Sequence, residues 1–309
     1  MILANLIFMG TSNFACRTLA ALEQANYKPK LIITRTDSIS GRHRQPSMPP
    51  VKKWAAARGL PVWQPININS RESIAKLRSL APDLFVVVAY GKILSKEVLS
   101  LPALGAINVH ASLLPDLRGA APVEWAIMLG YTETGVTTMF MDEGVDTGDI
   151  ILQQATAIGA EEISGQLRER LAAMAQQLLP ETINLVLQGK APRRPQPPVC
   201  PQYAPVLDRA IERLDWTLPA QALANKVRAL APKPGSFCEF RGKRLKIFRA
   251  AAVSGSALSG RAVLQGKRLL VGTGEGLLEL AEVQPEGKKI SIVRDFINGY
   301  HIQEEEVFL

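Results

Sequence analysis

Short apolar runs alternate with helical patterns over the first half of the chain. Residues 6–9, 31–33, 84–89 and 106–109 carry Ile, Val and Leu on neighbouring positions, the mark of strands buried on both faces. Between them lie three helical stretches: 14–24 behind Asn13 as N-cap, 51–58 between Pro50 and Gly59, and 71–80 behind Ser70. Strands that alternate with helices predict a mostly parallel sheet covered on both faces, with ligands at the carboxyl ends of its strands. Residues 135–141 and 150–157 add two strands flanking a loop, and a long helix is predicted from Ser164 to about Gln188, with Pro180 as a kink site.

The pattern then changes. Pro192, Pro195, Pro197, Pro198, Pro201 and Pro205 crowd one short stretch, which removes backbone donors and predicts an extended, stiff linker. Beyond it residues 219–230 read as a helix. From Ser236 onward, KIFRAAAV, RAVLQGKRLLVG and GLLELAEV are short apolar stretches punctuated by glycine, the pattern of a small antiparallel barrel or sandwich. GTGEG at 272–276, between LLV and LLEL, reads as a hairpin turn rather than a nucleotide loop. Gly10-Thr-Ser-Asn after the first strand lacks the GxGxxG fingerprint, which excludes a nicotinamide-binding reading.

At 309 residues the chain is long for a single domain, so two are expected. Apolar residues at 47% and charged residues at 21% fit an ordinary soluble protein. The net charge of +8 changes the picture by pointing to a polyanionic partner, without saying which. Cys16, Cys200 and Cys238 form no CxxC pair, and His43, His110 and His301 have no metal-ligand spacing, so neither a zinc site nor a disulfide framework is expected. The opening MILANLIFMGTS is too short for a membrane span and lacks basic flanks, so a cytoplasmic location is expected.

Chemistry concentrates in NVHASLLPDLRGAAPVEWA, residues 108–126. Asn108 and His110, two apart at a strand end, leave the same face of the sheet. Asp146 sits in MDEGVDTGD, a loop between two predicted strands that can reach the same edge. An amide donor, an imidazole and a carboxylate together suit acyl transfer to an amine: Asn for a developing oxyanion, His for protons, Asp to orient the His. Singly, each has a plainer reading as a structural histidine, a turn aspartate or an edge cap.

NVHASLLP, RGAAP, DEGVDTGD and the opening FMGTSNFA together resemble the methionyl-tRNA formyltransferases, within the wider family of folate-dependent formyl and hydroxymethyl transferases. QYAPVL at 202–207, LDW at 214–216 and KPG at 233–235 extend the resemblance over nearly the whole chain. It implies Asn108, His110 and Asp146 as the catalytic set, and Ser112, Leu113, Leu114 and Pro115 as part of a folate pocket. It further implies 10-formyltetrahydrofolate as donor co-substrate, no metal, and initiator methionyl-tRNA as acceptor.

The implied organisation is a Rossmann-like α/β catalytic domain over 1–190, a Pro-rich linker over 191–206 and a small OB-like β-barrel that binds tRNA over 207–309. A monomer without membrane association is expected. The 35–50 loop carries Arg35, Arg42, His43 and Arg44, and by resemblance meets the tRNA acceptor end through Arg42, with Arg44 beside it. RTDSIS and His43 depart from the family's usual loop. Basic residues dominate 226–268, and Arg241, Lys243, Arg244 and Lys246 are the expected phosphate contacts, with the acidic Glu304–Glu306 tail lying apart. The nearest alternative is a sugar-nucleotide N-formyltransferase using the same donor.

Overall fold

The computed structural model describes residues 5–40 and 45–309, which fall into two compact units. The first comprises Met1–Ala120, Thr134–Thr156 and Arg168–Ala204. The second comprises Ala121–Glu133, Ala157–Leu167 and Pro205–Leu309.

The first unit is built on a seven-stranded sheet. In chain order its strands are β1 (Leu6–Gly10), β2 (Leu31–Ile33), β5 (Val62–Trp63), β6 (Leu84–Val88), β7 (Ala106–His110), β9 (Glu133–Phe140) and β10 (Ile150–Ala157). A small antiparallel pair, β3 (Ser38–Ser40) and β4 (Gln45–Ser47), interrupts the predicted 35–50 loop. Across the sheet the order is β10-β9-β7-β6-β1-β2-β5. β1 runs parallel to both β2 and β6, β6 parallel to β7, and β9 antiparallel to β7. The order turns back at β1, whose two neighbours lead the chain in opposite directions, and in sheets of this kind ligands bind at the carboxyl ends of the strands at that point. Every residue of β1 and β6 is buried, as their unbroken apolar runs require.

Helices α1 (Asn13–Gln24), α2 (Pro50–Ala56), α3 (Arg71–Ser79) and α4 (Lys96–Leu99) connect these strands, and α6 (Ser164–Leu187) contains Pro180. Ser70 caps α3 as the sequence predicts, accepting from Ser73 N–H. The α1 cap is Ser12 rather than Asn13: its side chain accepts from Ala15 N–H, which places Asn13 inside the first turn.

The second unit holds α5 (Pro122–Met128), α7 (Ala220–Leu230) and α8 (Val293–Tyr300) with a six-stranded antiparallel sheet. Its strands are β12 (Ser236–Phe240), β13 (Lys243–Val253), β14 (Ala262–Gln265), β15 (Arg268–Gly272), β16 (Leu277–Pro285) and β17 (Ser291–Ile292). β12 and β14 end the main path, and the C-terminal residues pair with both. Leu309 and Glu239 exchange backbone hydrogen bonds at 2.6 and 2.8 Å, and Phe308 N–H donates to Gly260 O at 2.8 Å. The sheet thereby closes on itself and buries Phe240, Leu245, Ile247, Leu269, Val271, Leu280, Phe296 and Phe308 in one core. The 273–276 segment joins β15 to β16 as a hairpin turn, as predicted.

Closure corrects one expectation. The acidic tail does not lie apart from the basic residues: Glu306 pairs with Arg241 at the β12–β13 turn and accepts from Gln303 N–H, while Glu304 accepts from Leu264 N–H. Burial pushes the Glu306 carboxyl up, but the hydrogen bonds from Arg241 and Gln303 outweigh it and hold its pKa below the ordinary 4.5. The folded state therefore binds fewer protons than the unfolded chain, and the stability from this pair is complete above the ordinary value and fades as pH falls through the lowered one. Glu306→Gln is expected to lower the melting midpoint by about 2–5 °C at neutral pH. The gap to wild type should close on acidification, as followed by calorimetry across pH 7 to 3.

Candidate active site

β7 delivers two side chains to the carboxyl edge of the sheet. Asn108 pairs in register with Val87 of β6 and Met139 of β9, and His110 with Thr137 of β9, so both point to one face. The loop between β9 and β10 returns Asp146 to the same place. Asn108 Nδ2 donates to Asp146 Oδ1 at 3.2 Å, and His110 Nδ1 lies 3.6 Å from Asp146 Oδ2. The structure thus brings together all three residues that the sequence singled out.

Asp146 is held on several sides. Gly119 N–H donates to its Oδ2 at 2.9 Å, and its own backbone is left-handed, with φ 54°. That conformation costs a non-glycine residue about 1 kcal/mol or more and persists only under external support. The nearby Gly148 must be glycine, since a Cβ there would stand 1.9 Å from Phe140 O. His110 Nε2 meets Leu117 O at 3.0 Å, and a carbonyl only accepts, so Nε2 carries the proton. Nδ1 is then the ring nitrogen that faces the site, with the Asp146 carboxylate beside it. His110 is buried, its side chain only 7% exposed.

The 111–120 loop is fixed from within and from the neighbouring strands β9 and β10. Ser112 Oγ donates to Asp116 O at 2.7 Å, Leu114 N–H to Thr137 Oγ1 at 3.1 Å, and Gln153 Nε2 to Leu114 O at 2.8 Å. Of the four residues expected at a folate pocket, Ser112 and Leu114 are buried, and Leu113 and Pro115 keep part of their surface exposed. Tyr90, two residues beyond β6, is buried, its pKa pushed up to about 12 by that burial against the pull of the Arg35 charge. The hydroxyls of Tyr90 and of Thr34, which follows β2, have no hydrogen-bond partner among the described residues.

Sequence reasoning missed the contribution of the Pro-rich stretch. β11 (Tyr203–Ala204) pairs in parallel with β8 (Arg118–Gly119), Leu117 N–H donates to Gln202 O at 2.7 Å, and Ala120 N–H to Ala204 O at 2.8 Å. A Cβ at Gly119 would stand 2.4 Å from Ala204 O, so this pairing also demands glycine there. Gln196 Nε2 donates to Asp146 O at 3.0 Å and to Gly148 O at 2.7 Å. Gln196, set between Pro195 and Pro197, was a visible signal.

Arg42 and Arg44 lie outside the described residues. The four basic residues expected on the second unit divide in two. Arg241 is engaged with Glu306 and Tyr300 O, and Lys246 Nζ donates to Pro234 O at 2.6 Å. Lys243 and Arg244 are exposed, Arg244 stacked over Phe237. With Phe240, Arg241, Lys288 and Tyr300 they line a depression of about 240 Å³.

Comparison with known proteins sets this geometry in a family. The formyl transferase model matches residues 1–183, and the formyl transferase C-terminal domain model matches 207–301. A methionyl-tRNA formyltransferase of Pelotomaculum thermopropionicum is 44% identical over 302 residues, 96% of each chain. That of Symbiobacterium thermophilum is 46% identical over 303 residues, 96% of this chain and 93% of its own. Among solved structures, an N-formyltransferase from Helicobacter canadensis, in complex with folinic acid and dTDP-3-aminofucose, superposes with a TM-score of 0.68. It covers 91% of this chain and 99% of its own at 17% identity, a likeness of fold alone. Among the described residues no helix is long and apolar enough to cross a membrane. With both parts matched in order and near-full-length relatives at 44–46% identity, the chain belongs to the formyl transferase family, in its methionyl-tRNA formyltransferase branch.

Proposed function

We propose that the chain transfers the formyl group of 10-formyltetrahydrofolate to the α-amine of methionine on initiator tRNA. The observation that carries this reading is the meeting of Asn108 Nδ2, His110 Nδ1 and the Asp146 carboxylate at one sheet edge. Relatives named methionyl-tRNA formyltransferase over nearly their whole length support the choice of acceptor. The sugar-nucleotide alternative rests on structures that share only the fold. Residues 1–190 are read as the catalytic domain, 191–206 as the connection and 207–309 as the tRNA-binding domain of a cytoplasmic monomer.

The residues at the sheet's carboxyl edge suit a folate. The Thr34 and Tyr90 hydroxyls, without a partner among the described residues, offer hydrogen bonds to a polar heterocycle, and Leu113 and Pro115 offer apolar surface. When bound, the donor supplies a formyl group already activated on N10. Asn108 has one amide N–H on Asp146 and uses the other for the formyl oxygen as negative charge develops there. His110 takes, at Nδ1, the proton shed by the attacking amine and passes it to the departing N10 as the formyl C–N10 bond breaks. Asp146 stabilises the imidazolium in between and keeps the Asn108 amide turned.

Two measurements test the assignment. With purified protein, the folate donor and charged initiator tRNA, Asn108→Ala or His110→Ala is expected to lower kcat roughly a hundredfold, with the fold intact by circular dichroism. Turnover near wild type in either variant would remove the triad from the chemistry.

The tRNA role falls on the outward-facing cations. Lys243→Ala with Arg244→Ala should raise KM for tRNA rather than lower kcat, and should flatten the slope of log affinity against log salt by roughly one to two units. Unchanged binding at every salt concentration would take this face of the barrel out of tRNA recognition.

A further inference from the structure

Asp146 is fixed at two ends, and only one is explained by the three residues of the proposed reaction. Its carboxylate is held by Asn108 Nδ2 and Gly119 N–H. Its backbone carbonyl is held by Gln196, from a segment fifty residues later in the chain. The left-handed φ of 54° at Asp146 makes this second hold consequential, since such a backbone relaxes unless its peptide groups are fixed from outside.

Gln196 is itself fully committed. Its amide nitrogen donates to Asp146 O at 3.0 Å and Gly148 O at 2.7 Å, which occupies both N–H groups. Its amide oxygen accepts from Arg118 Nε at 3.2 Å and Arg118 Nη2 at 2.9 Å, which occupies both lone pairs. Arg118 is buried, 4% exposed, and its Nη2 also donates to Pro197 O at 2.8 Å. The guanidinium thus grips Gln196 and its neighbour Pro197 together, in a fork whose plane fixes the carboxamide orientation. The next residue after Arg118 is Gly119, whose N–H meets the Asp146 carboxylate. A closed circuit results: Arg118 to Gln196, Gln196 to the Asp146 carbonyl, the Asp146 carboxylate to Gly119, and Gly119 back to Arg118 through the chain.

We propose that Gln196, locked by Arg118, is a positioning residue that sets the Asp146 carboxylate against Asn108 and His110. The inference rests on Asp146 acting in formyl transfer. It makes the Pro-rich segment a wall of the reaction centre as well as a connection, and it assigns Arg118 a purpose within RGAAP. Neither side chain touches the reacting atoms. Their effect is on geometry, and a displacement of about 1 Å in a reacting group costs up to a hundredfold in rate.

The test uses the full chain. Gln196→Glu keeps the length and both acceptors for Arg118 but turns an oxygen toward Asp146 O and Gly148 O. Gln196→Met keeps the length and removes every polar contact. Both are expected to lower kcat roughly ten- to a hundredfold, with KM for donor and tRNA within about threefold of wild type. The Gly119 amide resonance, placed by its bond to the Asp146 carboxylate, is expected to shift upfield in both. Wild-type kcat in either folded variant overturns the proposal, as does a loss of kcat with the Gly119 amide unmoved, or a loss confined to KM. Failure of both variants to fold would make Gln196 a residue of stability only, which also overturns it. If wild type itself transfers no formyl group to methionyl-tRNA, the proposed function falls, while the Gly119 resonance still reports whether Gln196 sets Asp146.

Discussion

A carboxylate withdrawn from water must be surrounded by donors, and Asp146 is the group around which the first unit is arranged. Its side chain is 14% exposed, and it draws Asn108 from β7, Gly119 from the following loop and the His110 ring to one point. Those partners impose conditions of their own. Gly119 N–H reaches Asp146 only because the 118–119 backbone is straightened against Tyr203–Ala204, at a distance that no side chain on residue 119 would permit. His110 presents Nδ1 to Asp146 only because Leu117 O holds the proton on Nε2. Demand for donors at one carboxylate thus propagates into the loop, the Pro-rich segment and the tautomer of the histidine.

The second unit meets a different constraint. An antiparallel sheet of this size leaves two edges open, and the last residues of the chain cover both, β12 through Leu309 and β14 through Ala262. Closure carries Glu306 to Arg241, so a charge counted as excess in the sequence is spent inside the fold. Arg268 with Glu279 and Arg249 with Glu282 follow the same rule across neighbouring strands. Lys243 and Arg244, at the start of β13, stay turned outward.

Local patterns were legible and long-range hydrogen bonding was not. The five-residue apolar runs at β1 and β6, the Ser70 cap and the i, i+2 pair on β7 follow from short-range rules, and the structure places them accordingly. Asp146 was reachable because its loop joins two recognisable strands. The 191–206 stretch was not, because proline was read only for the donor it lacks. Proline keeps its carbonyl, so such a segment is a strip of acceptors. Arg118, Leu117, Ala120 and Trp125 all donate to that strip, at Pro197, Gln202, Ala204 and Pro205. The acidic tail was misplaced for a related reason: which carboxylate meets which guanidinium is decided by barrel closure, and charge counting carries no register.

Holding Asp146 at both its carbonyl and its carboxylate has a consequence for the proposed reaction. A donor stabilises a developing oxyanion most when it is already aimed, because nothing then has to reorganise as charge appears. The Asn108 amide could swing about its last torsion if only the sheet held it. Anchored by one N–H on a carboxylate that is itself immobile, it presents the other N–H in a fixed direction. The same immobility keeps the carboxylate 3.6 Å from His110 Nδ1. Preorganisation at Asn108 therefore depends on rigidity at Asp146, and that rigidity is supplied by residues that never approach the formyl group.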